Sequence, residues 1–125
     1  MTQDELQHRA DGLSLGMTSI NQTFSNPIQI YIAGDYNRAC DVCREFCFNQ
    51  GLCVNISQNE YIYTGGSESG VRVELINYPR FPSTEEELFL IAKNLAFDLM
   101  FALYQTSATI QTNKITTRIS RREQN

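Results

Sequence analysis

The segment from residue 83 to about 105 constrains the fold most, because it predicts a single long helix that is apolar on nearly every side. Ser83 and Glu86 fit a capping box, and acidic residues fill the first turn, where the helix dipole favours them. In the second half of the segment only Asp98 is charged. A helix of this kind cannot leave one face in water. We therefore expect one side to pack on a sheet and the other on a second copy of the chain, in a homo-oligomer that is a dimer or a dimer-based higher assembly.

The remainder of the sequence alternates between strand-like and helix-like segments. β-Branched and aromatic runs predict strands, which span residues 28–34, 52–57, 60–66, 70–78, 108–112 and 115–120. A shorter helix follows the first strand, with Asp35 as its N-cap and Gly51 at its end. We expect an α+β fold in which two helices cover a mixed β-sheet of five or six strands. The strand–helix–strand order at its start is typical of a βαβ unit and predicts that the first two strands are parallel.

Composition and charge limit the class of protein. A chain of 125 residues with 42% apolar and 19% charged residues is typical of one folded soluble domain. We assign residues 27–125 to a single ligand-binding domain and residues 1–26 to a polar N-terminal extension. No apolar run is long enough to cross a membrane, so we expect no membrane association. The net charge of −4 argues against a DNA or RNA duplex as a partner.

Four cysteines lie close together, at positions 40, 43, 47 and 53. The first three share one face of the predicted helix, which indicates small buried side chains. A zinc site of the CxxC kind needs a turn that brings two thiolates together, and ACDVCREFC has no Gly or Pro to form one. We therefore expect free thiols, no metal site and no cofactor.

One loop carries groups that suit a small anionic ligand. In INYPRFPST, residues 76–84, two prolines hold Arg80 and Phe81 in a rigid segment just before a helix start. A helix start favours an anion, a guanidinium can fork onto a phosphate, and an aromatic ring offers a flat face to a base. The alternative is that Phe81 packs as a hydrophobic staple and Arg80 is solvated.

The chain end and one glycine-rich segment are further candidates. Arg118 and Arg122 share one face of the last predicted strand, which suits a pyrophosphate, and Arg121 lies on the other face. The alternative is a solvated basic tail. TGGSESG, residues 64–70, predicts either a phosphate-binding loop or a simple hairpin turn.

No recognisable catalytic apparatus accompanies these groups. The single histidine, His8, lies in the N-terminal extension, so a Ser or Cys nucleophile has no credible base. The sequence contains no P-loop and no dinucleotide-binding fingerprint. We therefore expect a protein that binds a small ligand and is not an enzyme.

The order of the segments resembles the first type of phage-encoded Thoeris anti-defence sponge. The resemblance covers about residues 28–122 and is carried by IYIAG, CREFC, GLCVNI, YIYTGG, GVRVELINYPRFPS and TTRISRRE. It implies a phage protein that acts in the cytoplasm of the infected bacterial host. It further implies that the chain sequesters cyclic nucleotide immune signals, namely cyclic ADP-ribose isomers and in some members cyclic oligonucleotides, without degrading them.

The same resemblance implies which residues hold the ligand. The family uses an aromatic ring, an asparagine and arginines near the chain end, and the matching positions are Phe81, Asn94, Arg118 and Arg122. Together with Arg80 and Arg121 from the segments above, these complete the predicted ligand-binding set.

Two other interpretations stay open at this point. IYIAGD is similar to the opening strand and loop of nucleoside deoxyribosyltransferases, which implies catalytic roles for Asp35 and a later glutamate such as Glu68. That similarity does not continue beyond residue 53, and Asp35 stands where that family has proline. The third interpretation is a phage structural or assembly component with no small ligand.

Overall fold

The computed structural model describes residues 19–121. Two helices and five strands follow one another along this part of the chain. They are β1 (Ile28–Ala33), α1 (Tyr36–Gln50), β2 (Val54–Tyr63), β3 (Gly66–Leu75), α2 (Glu85–Ala102), β4 (Ser107–Gln111) and β5 (Thr116–Ser120). The predicted α+β fold with two helices and five or six strands is confirmed, and the number of strands is five.

The five strands form one sheet in the order β2-β3-β1-β4-β5, and every neighbouring pair is antiparallel. The sheet is therefore antiparallel throughout and not mixed. β1 and β2 run in the same direction, as expected, but they are not paired, because β3 folds back from β2 and inserts between them. The result is a split βαβ unit. The βαββαβ order with this strand arrangement is the ferredoxin-like architecture, to which β5 adds an edge strand.

Both helices cover one face of the sheet and enclose the core. Alternate residues of β1 and β3 point to this face, which is why Ile30 and Val73, opposite each other in register, are both fully buried. The buried side of α2 packs on them, and β4 completes the layer. The largest fully buried side chains are Ile28, Ile30, Leu95, Leu99, Met100, Ile110, Val71 and Val73.

α1 has the predicted caps. The side chain of Asp35 accepts a hydrogen bond from the backbone N–H of Arg38 at 2.8 Å, and Gly51 ends the helix in the left-handed conformation with φ of 69°. Cys43 is buried in the core while Cys40 and Cys47 are half-buried, and all four cysteines are free thiols. Burial raises the pKa of the Cys43 thiol to about 12.

The β2–β3 hairpin differs from the prediction. The predicted strands at 52–57 and 60–66 are one strand of ten residues, and the turn is at Thr64-Gly65, where Gly65 has φ of 87°. The glycine-rich segment 64–70 therefore lies mostly in β3 and forms no phosphate-binding loop. The polar residues between the two predicted strands do not interrupt β2, because an edge strand tolerates polar side chains on its exposed positions.

α2 begins one residue later than predicted and ends at Ala102 rather than near Gln105. The capping box is formed by Thr84 and Glu87 instead of Ser83 and Glu86. The physical reason is that the backbone N–H of Ser83, which a capping box would use, already donates to the side chain of a buried asparagine in the preceding loop, at 2.9 Å. The pattern of the sequence fits either pair equally well.

The outer side of α2 carries apolar side chains in contact with solvent. Phe97, Phe101 and Leu90 are all exposed, the last two by more than half. Self-association through this side of the helix stays a prediction. Between residues 19 and 121, neither helix is long and apolar enough to cross a membrane.

Candidate functional site

The face of the sheet opposite the helices is polar and uncovered. Gln29 and Tyr31 of β1 point to this face, beside Arg72 and Glu74 of β3. Gln29 donates a hydrogen bond to Glu74 at 2.9 Å, and the Arg72 guanidinium is 3.2 Å from the same carboxylate oxygen. The hydrogen bond from Gln29, with the nearby guanidinium, holds the pKa of Glu74 below its usual range. These contacts hold the side chains in the middle of this face in place and leave the face open to solvent.

A hollow of about 200 Å³ lies on this face where β1 ends. We call it the sheet-face hollow. Its lining includes two aromatic rings, one carboxylate and several small polar groups, from Tyr31, Tyr61, Glu68, Gln105, Ser107 and Thr109. These residues belong to four strands and to the segment that joins α2 to β4, so long-range strand pairing brings them together.

Tyr61 forms one wall of the sheet-face hollow through its packing on Gly70. A Cβ atom added at Gly70 would lie 2.5 Å from the Tyr61 ring and 2.4 Å from the carbonyl oxygen of Ile32. The ring therefore occupies the space in which any other residue would place a side chain. The Tyr61 hydroxyl donates to the backbone carbonyl of Val71, and burial raises the pKa of Tyr61.

Tyr31 and Glu68 supply the groups that are free to meet a ligand. The Tyr31 ring is half-buried, and its hydroxyl donates to Gln111 at 3.1 Å, which leaves a ring face at the hollow. Glu68 is paired in register with Tyr61 and is exposed to solvent. Sequence reasoning named Glu68 only under the deoxyribosyltransferase interpretation, and it missed both tyrosines.

Two of the predicted arginines lie beside this hollow. Arg118 is opposite Thr109 in register, so its side chain shares the uncovered face. The Arg121 guanidinium donates to the carbonyl oxygen of Gln105 at 3.3 Å. Arg122 lies outside the described residues.

Asp35, the second residue of the deoxyribosyltransferase interpretation, lies elsewhere. Its carboxylate caps α1 and lines a different hollow on the helix side of the sheet, together with Glu60 and Ser69, which are joined by a hydrogen bond of 2.8 Å. Asp35 and Glu68 therefore line separate hollows, and the structure does not bring the two carboxylates together in one site.

The remaining predicted residues surround a second cavity, of about 290 Å³, in the loop that precedes α2. We call it the loop cavity. Arg80 and Phe81 lie at its rim, together with Tyr78, and their part in ligand binding stays a prediction. The Arg80 guanidinium is 5.5 Å from the centre of the Phe81 ring. The hydrophobic-staple alternative for Phe81 is wrong, because 68% of this residue is exposed.

The predicted residues do not form one site within a chain. The loop cavity adjoins Leu75, which pairs with the first residue of β1, whereas Ala33 at the other end of β1 lines the sheet-face hollow. A strand of this length separates them by roughly 17 Å. Asn94 is exposed on α2 and lines neither cavity. Across residues 19–121, no group of three or more His, Cys, Asp or Glu side chains is arranged to hold a metal ion.

Neither a protein-family model nor a curated protein sequence matches this chain. Two solved structures are similar to it. One is a phage SAM lyase in complex with S-methyl-5′-thioadenosine, with a TM-score of 0.62, 14% identity, and coverage of 83% of this chain and 95% of the other. The other is a phage SAM lyase in its apo state, with a TM-score of 0.66, 14% identity, and coverage of 86% and 100%. Likeness at this identity establishes the shared fold.

These neighbours correct one expectation and support another in general terms. The expectation that the chain is not an enzyme is contradicted, because both of these structural neighbours are named as lyases and a lyase is an enzyme. The expectation of a phage protein that binds a small cyclic nucleotide has support only in its general part, because one of these phage proteins holds a small nucleoside, S-methyl-5′-thioadenosine. The resemblance to Thoeris sponges and the binding of cyclic ADP-ribose isomers stay untested.

Proposed function

We propose that this chain is a lyase that binds S-adenosylmethionine (SAM) in the sheet-face hollow and releases S-methyl-5′-thioadenosine. The observation that carries the proposal is the meeting of two tyrosines and a carboxylate, with arginines beside them, in one hollow of a fold shared with phage SAM lyases.

The groups at the hollow match the parts of SAM. The exposed face of Tyr31 is suited to stack on adenine, since Tyr61 is already committed to covering Gly70. The Glu68 carboxylate accepts hydrogen bonds from the ribose hydroxyls, the role that acidic residues play in many nucleotide sites. Arg121 and Arg118 lie on the β5 side and are suited to the carboxylate of the methionyl chain.

The reaction needs few groups from the protein. In SAM the sulfur carries a positive charge, so its bond to the γ-carbon of the methionyl chain is already primed to break. An oxygen of the substrate's own carboxylate attacks that γ-carbon, the carbon–sulfur bond breaks, and its electron pair stays on sulfur. The products are S-methyl-5′-thioadenosine and homoserine lactone. No water, proton or cofactor enters the balance.

This chemistry explains how an enzyme can work without a nucleophile and base of its own. The barrier falls when the methionyl chain is held with its carboxylate close to the γ-carbon, which is catalysis by proximity. The reaction also neutralises two charges, so a site that excludes water favours it. The charged and aromatic groups at the hollow would supply the first condition by holding the methionyl chain in place.

The direct test is to incubate the purified chain with SAM and analyse the products by chromatography and mass spectrometry. We expect S-methyl-5′-thioadenosine and homoserine lactone to accumulate in equal amounts, above a control without protein. Recovery of intact SAM after long incubation at high protein concentration would refute the proposal.

The same preparation tests the Thoeris prediction. Calorimetry with cyclic ADP-ribose isomers measures binding, and chromatography after denaturation shows whether the ligand remains intact. Tight binding of an intact isomer together with unchanged SAM would favour a sponge over a lyase. Cleavage of SAM with no binding of the isomers would favour the lyase and end the sponge interpretation.

A further inference from the structure

We propose that the loop cavity is a second binding site, separate from the sheet-face hollow, and that it takes a small planar aromatic ring bearing an anionic group. The proposed lyase activity makes no use of this cavity, which lies at the opposite end of β1. The inference rests on three properties of the loop: it is fixed in advance, its floor is apolar, and its rim carries an exposed aromatic ring and a cation.

Asn77 fixes the loop. It is the buried polar residue of this region, and its side chain donates to the carbonyl oxygen of Phe24 at 2.7 Å and accepts from the N–H of Ser83 at 2.9 Å. Between these anchors, the N–H of Phe81 donates to the carbonyl of Tyr78 at 2.9 Å and closes a tight turn. A ligand therefore meets a loop that needs little further ordering.

The floor of the cavity decides which part of a ligand enters it. Leu75 and Leu88 are almost completely buried there, and Leu52 completes an apolar surface. One polar pair lies in the wall, the Tyr78 hydroxyl and the Cys53 thiol at 3.5 Å. A volume of about 290 Å³ is at the lower end of the range for drug-sized ligands, about 300–1,000 Å³. A flat ring fits this space, and a polar chain does not match its walls.

The rim decides the charge of the ligand. Phe81 is exposed although it is a large apolar side chain, and the Arg80 guanidinium stands 5.5 Å from its ring. A ring inserted in the cavity is covered by Phe81 and leaves its substituent near Arg80, which binds carboxylate and phosphate groups through paired hydrogen bonds. The N-terminus of α2 does not bind this anion in place of Arg80. Its first turn already carries three glutamates, and one of them accepts a hydrogen bond in the capping box.

The ring and the anion have two sources, nucleoside monophosphates and aromatic carboxylic acids. Two pairs of probes distinguish these sources. AMP is compared with its neutral counterpart adenosine, and indole-3-acetate is compared with its neutral counterpart indole-3-ethanol. Amide NMR spectra of the labelled chain report where each probe binds. We expect one of the two anionic probes, and neither neutral probe, to shift the amide signals of residues 52–53 and 75–83. These shifts should persist when S-methyl-5′-thioadenosine is present in excess.

Arg80→Gln and a matched control complete the test. Arg80 is exposed, so the variant keeps the fold, and we expect at least about tenfold weaker binding of the anionic probe, down toward the level of its neutral counterpart. Arg44→Gln removes an equal charge from the surface of α1, where Arg44 pairs with Asp41 at 2.8 Å, and leaves binding unchanged. Absence of shifts in this loop at millimolar probe, or shifts that Arg80→Gln does not weaken, overturns the inference. Each result is independent of whether SAM is cleaved.

Discussion

The sheet-face hollow and the loop cavity are built in opposite ways. The hollow is polar, and its walls come from four strands that are far apart in the sequence. The loop cavity is mostly apolar, and its rim comes from one short segment fixed by a single buried side chain, that of Asn77. The first depends on how the whole sheet is paired, whereas the second depends on local contacts.

This difference shows which changes affect each cavity. A substitution that shifts the pairing of β3 disturbs the sheet-face hollow and also the core behind it. A substitution in the loop disturbs the loop cavity and leaves the sheet in place. We therefore expect the two cavities to respond to different variants.

The largest effect is expected from Gly70→Ala. The new Cβ would stand 2.4 Å from the Ile32 carbonyl oxygen and 2.8 Å from the Cα of Ala33, and backbone atoms cannot move aside. We expect the free energy of unfolding to fall by about 3 kcal/mol, measured by urea denaturation, as for severe overpacking. Gly66→Ala is the control, because its new Cβ meets only the flexible ring of Tyr63 at 3.1 Å. Equal losses for the two variants would contradict the close packing at Gly70.

Glu68→Gln is expected to lower kcat/KM for SAM about 10- to 100-fold with little change in stability. The physical reason is that a hydrogen bond to a charged group contributes about 1.5–3 kcal/mol, and the amide makes a weaker one. Glu60→Gln is the matched control, since Glu60 lies on the same hairpin but on its helix side, bonded to Ser69. A larger loss of kcat/KM for Glu60→Gln than for Glu68→Gln would indicate that the site lies on the other face of the sheet.

Local features of the fold were predictable from the sequence. Asp35 and Gly51 cap α1 as expected because capping depends on neighbouring residues only, and the short β4–β5 hairpin follows the same rule. Arg80 and Phe81 share a rim because they are adjacent in one loop. The predicted start of α2 was wrong by one residue, and the cause is also local. The backbone N–H of Ser83, which a capping box would use, donates instead to the side chain of Asn77.

The sheet-face hollow was not predictable in the same way. Tyr61 and Glu68 are partners in the local β2–β3 hairpin, but Tyr31 joins them only because β3 also pairs with β1, and nothing in the local sequence specifies that pairing. The alternation of residues along β1 does place Tyr31 on the face of the strand away from the buried isoleucines, and this was the one sequence signal that pointed to the hollow. The proposed lyase activity was missed for a chemical reason. The sequence shows no nucleophile paired with a base, and a substrate that carries its own nucleophile and leaving group needs neither.

Asn77→Ala is expected to act on the loop cavity alone. Removing the side chain leaves the N–H of Ser83 and the carbonyl of Phe24 without their partner, which costs about 2 kcal/mol in the free energy of unfolding. In the folded variant we expect loss of anionic probe binding at the loop, with S-methyl-5′-thioadenosine binding unchanged. Asn94→Ala, at an exposed position on α2, should change stability by less than about 0.5 kcal/mol. Weakened binding of both ligands by Asn77→Ala would show that the cavities are coupled.

The smallest effect distinguishes the two halves of the substrate. If Arg121 holds the methionyl carboxylate of SAM, Arg121→Gln weakens SAM binding about tenfold, which corresponds to about 1.4 kcal/mol. S-methyl-5′-thioadenosine lacks that carboxylate, so its affinity, measured by calorimetry, should not change. Lys114→Gln is the control for net charge, because Lys114 pairs with Glu85 at 3.2 Å away from the hollow. Equal weakening of both ligands would assign Arg121 to the nucleoside half, or to the fold through its bond with Gln105, and would leave the carboxylate to Arg118.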